Sequence, residues 1–86
     1  MPAAPIRRGA VLKAGDTGSE VEALQSMLAL YGYGVEITGA FDRQTEIVVE
    51  AFQRHFRPRL VDGVADGSTI RTLQRLLASA RTILST

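Results

Sequence analysis

The sequence has no cysteine, no tryptophan and a single histidine, His55. Disulfide bonds and thiolate metal sites are therefore excluded, and a histidine-based metal centre built from this chain alone is disfavoured. No apolar run approaches the roughly 20 residues that are needed to span a membrane. From these gaps we expect no metal, no cofactor and no membrane span.

Charge of one sign is also scarce, since the net charge is only +1 over 86 residues. A nucleic-acid binder of this size usually has a larger, clustered basic excess, so we expect no nucleic-acid partner. The start of the chain lacks the charged segment and apolar stretch of an export signal. If the protein acts outside the cytoplasm, this chain has lost its signal or was excised from a longer one.

Two short patterns occur twice in the chain. Val-Glu-Ala-Leu-Gln at 21–25 returns as Val-Glu-Ala-Phe-Gln at 49–53, and the pattern G-x-x-D-x-x-T occurs at 39–45 and at 63–69. Such repetition indicates one supersecondary unit used more than once. The unit consists of a glycine turn, an aspartate cap and an amphipathic helix.

The spacing of apolar residues predicts three helices, at about 19–31, 43–56 and 67–80. We therefore expect an all-α fold, a small three-helix bundle with glycine-rich connecting loops. Residues 1–10 are expected to be a linker or disordered N-terminus, 11–82 the folded domain, and 83–86 a C-terminal tail. The expected common core is Leu24, Leu28, Val48, Phe52, Leu73 and Leu76.

Local signals mark the ends of these helices. Ser19 and Glu22 have the spacing of a capping box at the start of the first helix. Asp42 and Asp66 are the expected N-caps of the second and third helices. Pro58 is expected to stop the second helix, because the residue before a proline disfavours helical backbone.

The sequence offers little for catalysis. Asp42 and Asp66 stand where helices need caps, and no acid or nucleophile lies one helical turn from His55 to pair with it. We find no triad, carboxylate pair or phosphate loop, and we expect no catalytic residue. A binding groove needs fewer specialised residues than a catalytic site does, namely aromatic walls and a few polar groups.

The candidate ligand-binding residues cluster around the first connector, which follows the first helix. They are Tyr33, Phe41, Thr45, Gln53 and Arg54. Tyr33 stands between two glycines and is the least constrained by packing. Phe41 has packing as its alternative role. For Gln25 and Gln53 the alternative is that each amide satisfies backbone groups of the adjoining glycine loop.

Taken together and in order, these residues resemble the peptidoglycan-binding domain found at the ends of bacterial wall hydrolases. The resemblance runs from about Leu12 to Leu77. It is carried by Leu12, Gly15, Gly18, Val21, Leu24-Gln25, Gly32-Tyr33, Gly39-Ala40-Phe41, Thr45, Val48, Phe52-Gln53, Asp62-Gly63, Thr69 and Leu73. The chain departs from the family pattern at Thr38, where an aspartate is common, and at Asp42, where a glycine is common.

The resemblance implies a non-catalytic module that binds peptidoglycan and anchors a tethered wall hydrolase. Residues 51–58 and 63–66 are similar to a subgroup that follows zinc-dependent N-acetylmuramoyl-L-alanine amidases of Gram-negative bacteria. That similarity implies a periplasmic or cell-envelope location, with the zinc and the catalytic residues in a domain outside this chain. We expect a monomer. The alternative is a protein-interaction or regulatory helical domain of a cell-envelope protein.

Overall fold

The computed structural model describes Ile6 and residues 9–85, with side chains as far as Ser79. The fold is all-α, with helices α1 (Ser19–Tyr31), α2 (Arg43–Phe56) and α3 (Gly67–Ser85). The described residues contain isolated β-bridges but no named strand. The predicted bounds of α1 and α2 are confirmed.

The third helix is longer than the sequence predicted. It continues to Ser85 instead of ending near residue 80, because no proline or glycine follows Gly67 to stop it. The helix therefore extends into the expected tail at 83–86. Most of the expected linker at 1–10 lies outside the described residues, but Ile6 and Ala10 are buried against the core.

The N-terminal caps follow the predictions for α2 but not for α1. The side chain of Asp42 accepts a hydrogen bond from the Thr45 amide at 3.0 Å, which confirms the predicted cap. The expected capping box is wrong, because Gly18 is the N-cap of α1 and Ser19 is already helical. Gly18 has a φ of 124°, a conformation that serine rarely adopts.

Asp66 caps α3 as predicted, and it has a second partner. Its Oδ1 accepts from the Thr69 amide at 2.9 Å, and its Oδ2 accepts from Arg57 Nη1 at 2.9 Å. Burial by itself raises the pKa of Asp66, but the hydrogen bonds from Thr69 and Arg57 outweigh it and lower that pKa. Folding is therefore linked to the ionised form of this carboxyl group.

The core lies where the three helices meet, and five of the six expected core residues are buried in it, namely Leu24, Leu28, Val48, Phe52 and Leu73. Leu24, Phe52 and Leu73 have no exposed surface. The expected core residue Leu76 is only partly buried and packs against the edge of the cluster. Completely buried valines from the two repeated pentapeptides extend this core, namely Val21 and Val49.

Two connectors join the helices, the first at 32–42 and the second at 57–66. The segment at 12–18, which precedes α1, pairs with both of them. Leu12 and Ala65 exchange backbone hydrogen bonds of 3.0 and 2.8 Å, and the Phe41 amide donates to the Asp16 carbonyl at 2.8 Å. Because one segment touches both connectors, it fixes their positions relative to each other and to the core.

Replacing Phe52 with alanine should lower the free energy of unfolding by about 3–5 kcal/mol, because a wholly buried ring leaves a cavity. Urea denaturation followed by circular dichroism measures the change. Leu30→Ala is the matched control, since the Leu30 side chain is 77% exposed, and it should change stability by less than about 0.5 kcal/mol. Equal midpoints for the two variants would contradict the core assignment.

Stability should fall in acid as Asp66 is protonated. A carboxyl group whose pKa is lowered by folding stabilises the protein above its unfolded-state pKa, and that contribution disappears as the pH falls through the folded-state pKa. Asp66→Asn keeps a capping oxygen but loses the charge. We expect its melting temperature to vary less with pH below about pH 4 than that of the parent. Glu36→Gln, on an exposed connector residue, serves as the control, and the same acid slope in all three proteins would refute the linkage.

Candidate functional site

The first connector is organised by the buried side chain of Gln25. Its Oε1 accepts from the amides of Thr38 and Gly39, both at 2.9 Å. Its Nε2 donates to the Ala40 carbonyl at 3.0 Å and to the Thr45 hydroxyl at 2.9 Å. One amide group therefore closes the glycine loop and attaches it to the first turn of α2.

Gln53 does the same for the second connector. Its Oε1 accepts from the amides of Asp62 and Gly63 at 3.1 and 3.0 Å. Its Nε2 donates to the Val64 carbonyl at 2.8 Å and to the Thr69 hydroxyl at 3.0 Å. The repeat seen in the sequence is thus a repeat of a hydrogen-bond network, in which each glutamine amide satisfies its own loop.

The loops need glycine for two reasons. Gly39 and Gly63 have φ values of 81° and 75°, in the left-handed region. A Cβ on Gly39 would lie 3.2 Å from Glu22 Cγ, and one on Gly63 would lie 2.8 Å from Glu46 Cγ. Each loop is therefore pressed against the side chain of a neighbouring helix.

Three of the five candidate ligand-binding residues are buried in this scaffold. Phe41 is 2% exposed, and Thr45 and Gln53 have no exposed surface. Phe41 takes the packing role that was its alternative. Only Tyr33, which is partly buried, and Arg54, which is exposed, present surface to a ligand. The five residues therefore do not form one groove.

Tyr33 belongs instead to an aromatic cluster between the end of α1 and the second half of α2. Its ring stacks on Tyr31, with centroids 6.4 Å apart and planes 25° apart, and meets Phe52 edge-on at 6.2 Å. Tyr31 in turn meets the edge of Phe56 at 5.6 Å. This cluster borders an open cleft of about 420 Å³ lined by Tyr31, Gly32, Tyr33, Ala51, His55 and Phe56.

The aromatic cleft, defined by those six residues, was not predicted as a unit. His55 and Phe56 were absent from the candidate residues, although Ala51 and His55 are four residues apart and share a face of α2. The spacing of Ala51 and His55 is the sequence signal that could have identified His55 as a cleft residue. The position of Tyr33 over this face depends on how the first connector folds back.

The electrostatics of the aromatic cleft favour a neutral or weakly polar ligand. Its lining contains no carboxylate, lysine or arginine. Burial, followed by the proximity of Tyr31, raises the pKa of Tyr33, so its hydroxyl group stays protonated near neutral pH and can donate a hydrogen bond. An aromatic floor with hydroxyl and imidazole groups at its edge can bind a ligand that has both apolar and hydrogen-bonding surfaces.

A larger depression of about 660 Å³ lies beside the turn that precedes α1. Its walls are formed by Val11, Leu12, Asp16, Thr17, Gly18, Ser19 and Glu20. It has two carboxylates and no aromatic side chain, so it offers less for specific binding than the aromatic cleft does.

Within Ile6 and residues 9–85, no group of three histidine, cysteine, aspartate or glutamate side chains is arranged to hold a metal ion. The helices in this described part are too short or too polar to cross a membrane.

The family model and the similar proteins agree with one another. A family model described as "Putative peptidoglycan binding domain" matches residues 17–73. The N-acetylmuramoyl-L-alanine amidase AmiD of Escherichia coli (strain K12) is 38% identical over 65 residues. That match covers 76% of this chain but only 23% of AmiD, so the chain spans about a quarter of its curated relative.

Solved structures also share the fold. A peptidoglycan-binding protein from Clostridioides difficile superposes with a TM-score of 0.78 at 37% identity, over 83% of this chain and 44% of that one. A fused Zn-dependent amidase/peptidase/peptidoglycan-binding domain protein from Clostridium acetobutylicum ATCC 824 has a TM-score of 0.69 at 32% identity. The second match covers 76% of this chain and 29% of the Clostridium acetobutylicum protein.

Replacing Gln53 with methionine should destabilise the domain by about 2 kcal/mol or more, because buried loop amides and a carbonyl lose their partner while the volume is nearly kept. Urea denaturation measures the loss, and hydrogen exchange should show a faster-exchanging Gly63 amide. Gln74→Met is the control, since Gln74 is exposed on α3. If Gln53→Met matched this control in both measurements, the amide would not organise the loop.

Proposed function

Because this chain belongs to the peptidoglycan-binding domain family, we propose that it anchors a cell-wall hydrolase to peptidoglycan. The observation that carries this proposal is the family match over 17–73, which spans α1, α2 and the start of α3. The chain is a non-catalytic peptidoglycan-binding domain of the cell wall, and the hydrolase is the proposed partner.

We propose an N-acetylmuramoyl-L-alanine amidase as the tethered enzyme. Support comes from AmiD, whose name states this activity, and from the Clostridium acetobutylicum protein, in which a Zn-dependent amidase is fused to a peptidoglycan-binding domain. In this proposal the zinc ion and the catalytic residues belong to the tethered domain. The corresponding location is the periplasm, and the domain acts as a monomer.

The physical benefit of such a module is effective concentration. Once a weak contact holds the domain on an immobile polymer, the tethered enzyme meets its next bond in an intramolecular event. Avidity can then exceed either separate affinity by on the order of 10²-fold. A shallow, open cleft is sufficient for this purpose, because the module needs to hold the polymer and then release it.

We propose that Tyr33 contacts peptidoglycan in the aromatic cleft and that Arg54 contributes from its edge. Arg54 follows Ala51, a cleft residue, by three positions and therefore lies beside it on α2. In this proposal Phe41, Thr45 and Gln53 act indirectly, because they hold the connector from which Tyr33 projects.

Tyr33→Ala should weaken cosedimentation with purified peptidoglycan by about tenfold, the effect of losing one well-placed aromatic contact. Arg54→Ala should weaken it by a smaller factor. Because the Tyr33 ring also meets Phe52, a stability loss of about 1 kcal/mol is expected and binding should be measured well below the melting temperature. Gln74→Ala is the surface control, and cellulose is the control polymer.

Parent-like binding by both Tyr33→Ala and Arg54→Ala would place the binding surface elsewhere on the domain. Failure of the parent chain itself to sediment with peptidoglycan would instead favour a protein-interaction role. Release of soluble fragments from purified wall by this chain alone would contradict its assignment as non-catalytic.

A further inference from the structure

The first connector runs alongside α2, which extends the aromatic cleft into a longer surface. At one end the Tyr33 ring meets Phe52, with centroids 6.2 Å apart. At the other end the Glu36 amide donates to Gln44 Oε1 at 3.3 Å. Residues 33–36 therefore pass from the second half of the helix back towards its first turn.

Between these two contacts, α2 places one stripe of residues beside the connector. Gln44, Ile47, Ala51 and His55 follow each other at intervals of three and four positions and thus share a face. Ala51 and His55 line the aromatic cleft, while Ile47 is 49% exposed. Ile37, which follows Glu36 in the middle of the connector, is 55% exposed.

We call this surface the α2 groove, comprising the aromatic cleft together with Ile37, Gln44 and Ile47. Gln44 and His55 are three turns apart, which corresponds to roughly 16 Å along the helix axis. That length exceeds what a single small molecule would cover and suits consecutive units of a polymer. Exposed isoleucines beside an aromatic cleft enlarge its apolar surface, and an enlarged apolar patch is typical of a binding surface.

The chemistry of the groove distinguishes between the two parts of peptidoglycan. A stem peptide carries carboxylate and amine groups, which need paired charges when they lose water. The six residues that line the cleft include no carboxylate, lysine or arginine to pair with them, and Arg54 at the edge of the cleft can donate hydrogen bonds to neutral hydroxyl and acetamido oxygens. A glycan strand presents pyranose faces covered by C–H bonds, acetamido methyl groups, and hydroxyl and amide groups at their edges. These groups match an aromatic and aliphatic floor bordered by tyrosine hydroxyl, imidazole and amide groups.

We propose that the α2 groove binds the glycan strand of peptidoglycan, with sugar rings against Tyr33 and acetamido methyl groups against Ile47 and Ala51. This inference rests on the proposed function, since it names the part of peptidoglycan that the same site takes. The stem peptides then project away from the groove into solvent, where the tethered hydrolase can reach them.

The test is a titration of the ¹⁵N-labelled chain with soluble chito-oligosaccharides of increasing length and, separately, with free stem peptide. The oligosaccharides should shift amide resonances within 33–37 and 44–55, with affinity that increases with length until the groove is filled. Stem peptide should leave these resonances in place. Because the ligand is neutral, the affinity should change by less than about twofold between low and physiological salt.

A matched pair of variants tests the far end of the groove. Ile47→Ser should weaken oligosaccharide binding by about fivefold, because a half-exposed isoleucine loses its apolar contact with the ligand. Leu60→Ser removes a side chain that is equally exposed, at 50%, but lies on the second connector, and it should change binding by less than about twofold. Both substitutions are on the surface, so folding should be preserved.

Three results would overturn the inference. The first is saturation of the groove resonances by stem peptide but not by oligosaccharide. The second is an equal effect of Ile47→Ser and Leu60→Ser on oligosaccharide binding. The third is a concentration-dependent shift of these resonances without ligand, which would assign the groove to a second copy of the chain. Cosedimentation of the parent chain with intact peptidoglycan tests peptidoglycan binding independently of glycan binding. If the chain sediments but does not bind oligosaccharide, the glycan assignment fails while the peptidoglycan-binding function stands.

Discussion

The fold depends on one interaction made twice, the closure of a glycine loop by a buried glutamine amide. An amide side chain can accept and donate at the same time, so a single residue satisfies two loop N–H groups and a loop carbonyl. The remaining bond reaches a threonine hydroxyl on the next helix. Without these bonds, each connector would bury backbone groups that have no partner, which is costly in a small domain with a modest core.

The two repeats share this network but differ in what surrounds it. The second connector is held additionally by Arg57, which pairs with Asp66 at 2.9 Å, whereas Ala29 occupies the corresponding place after Gln25. The first connector instead leaves α1 through Tyr31 and Tyr33 and carries the aromatic cleft. The second half is therefore reinforced by charge, while the first half exposes the side chains that suit a ligand.

The arrangement separates the scaffold from the binding surface. Residues such as Thr45 and Gln53 are wholly buried and act through the positions of loops, whereas Tyr33 gains its exposure from the loop that they hold. A binding residue on a rigid connector loses little conformational freedom when the ligand arrives. A weak site can then still be specific, and the tether to an enzyme converts modest affinity into residence on the polymer.

The sequence by itself determined the features that arise from contacts within a few residues. Neighbouring residues determine the bounds of α1 and α2, the aspartate caps at Asp42 and Asp66, and the glycine turns of the two connectors. The resemblance to a peptidoglycan-binding domain also follows from the order of these local motifs. Helical periodicity identified five of the six expected core residues, because the apolar face of an amphipathic helix packs against the rest of the protein.

Only the tertiary structure decided the rest, because it depends on residues far apart in the chain. Gly18 replaces Ser19 as a cap because its amide bonds to Gly39, on another connector. Gln53 and Thr45 are candidate ligand-binding residues in the sequence, yet their polar side-chain atoms form hydrogen bonds within the protein. Tyr33 meets Phe52 only because the first connector folds back along α2, and no local pattern fixes that path. The position of a surface cleft is set by how separate elements pack, which the periodicity of a single helix does not encode.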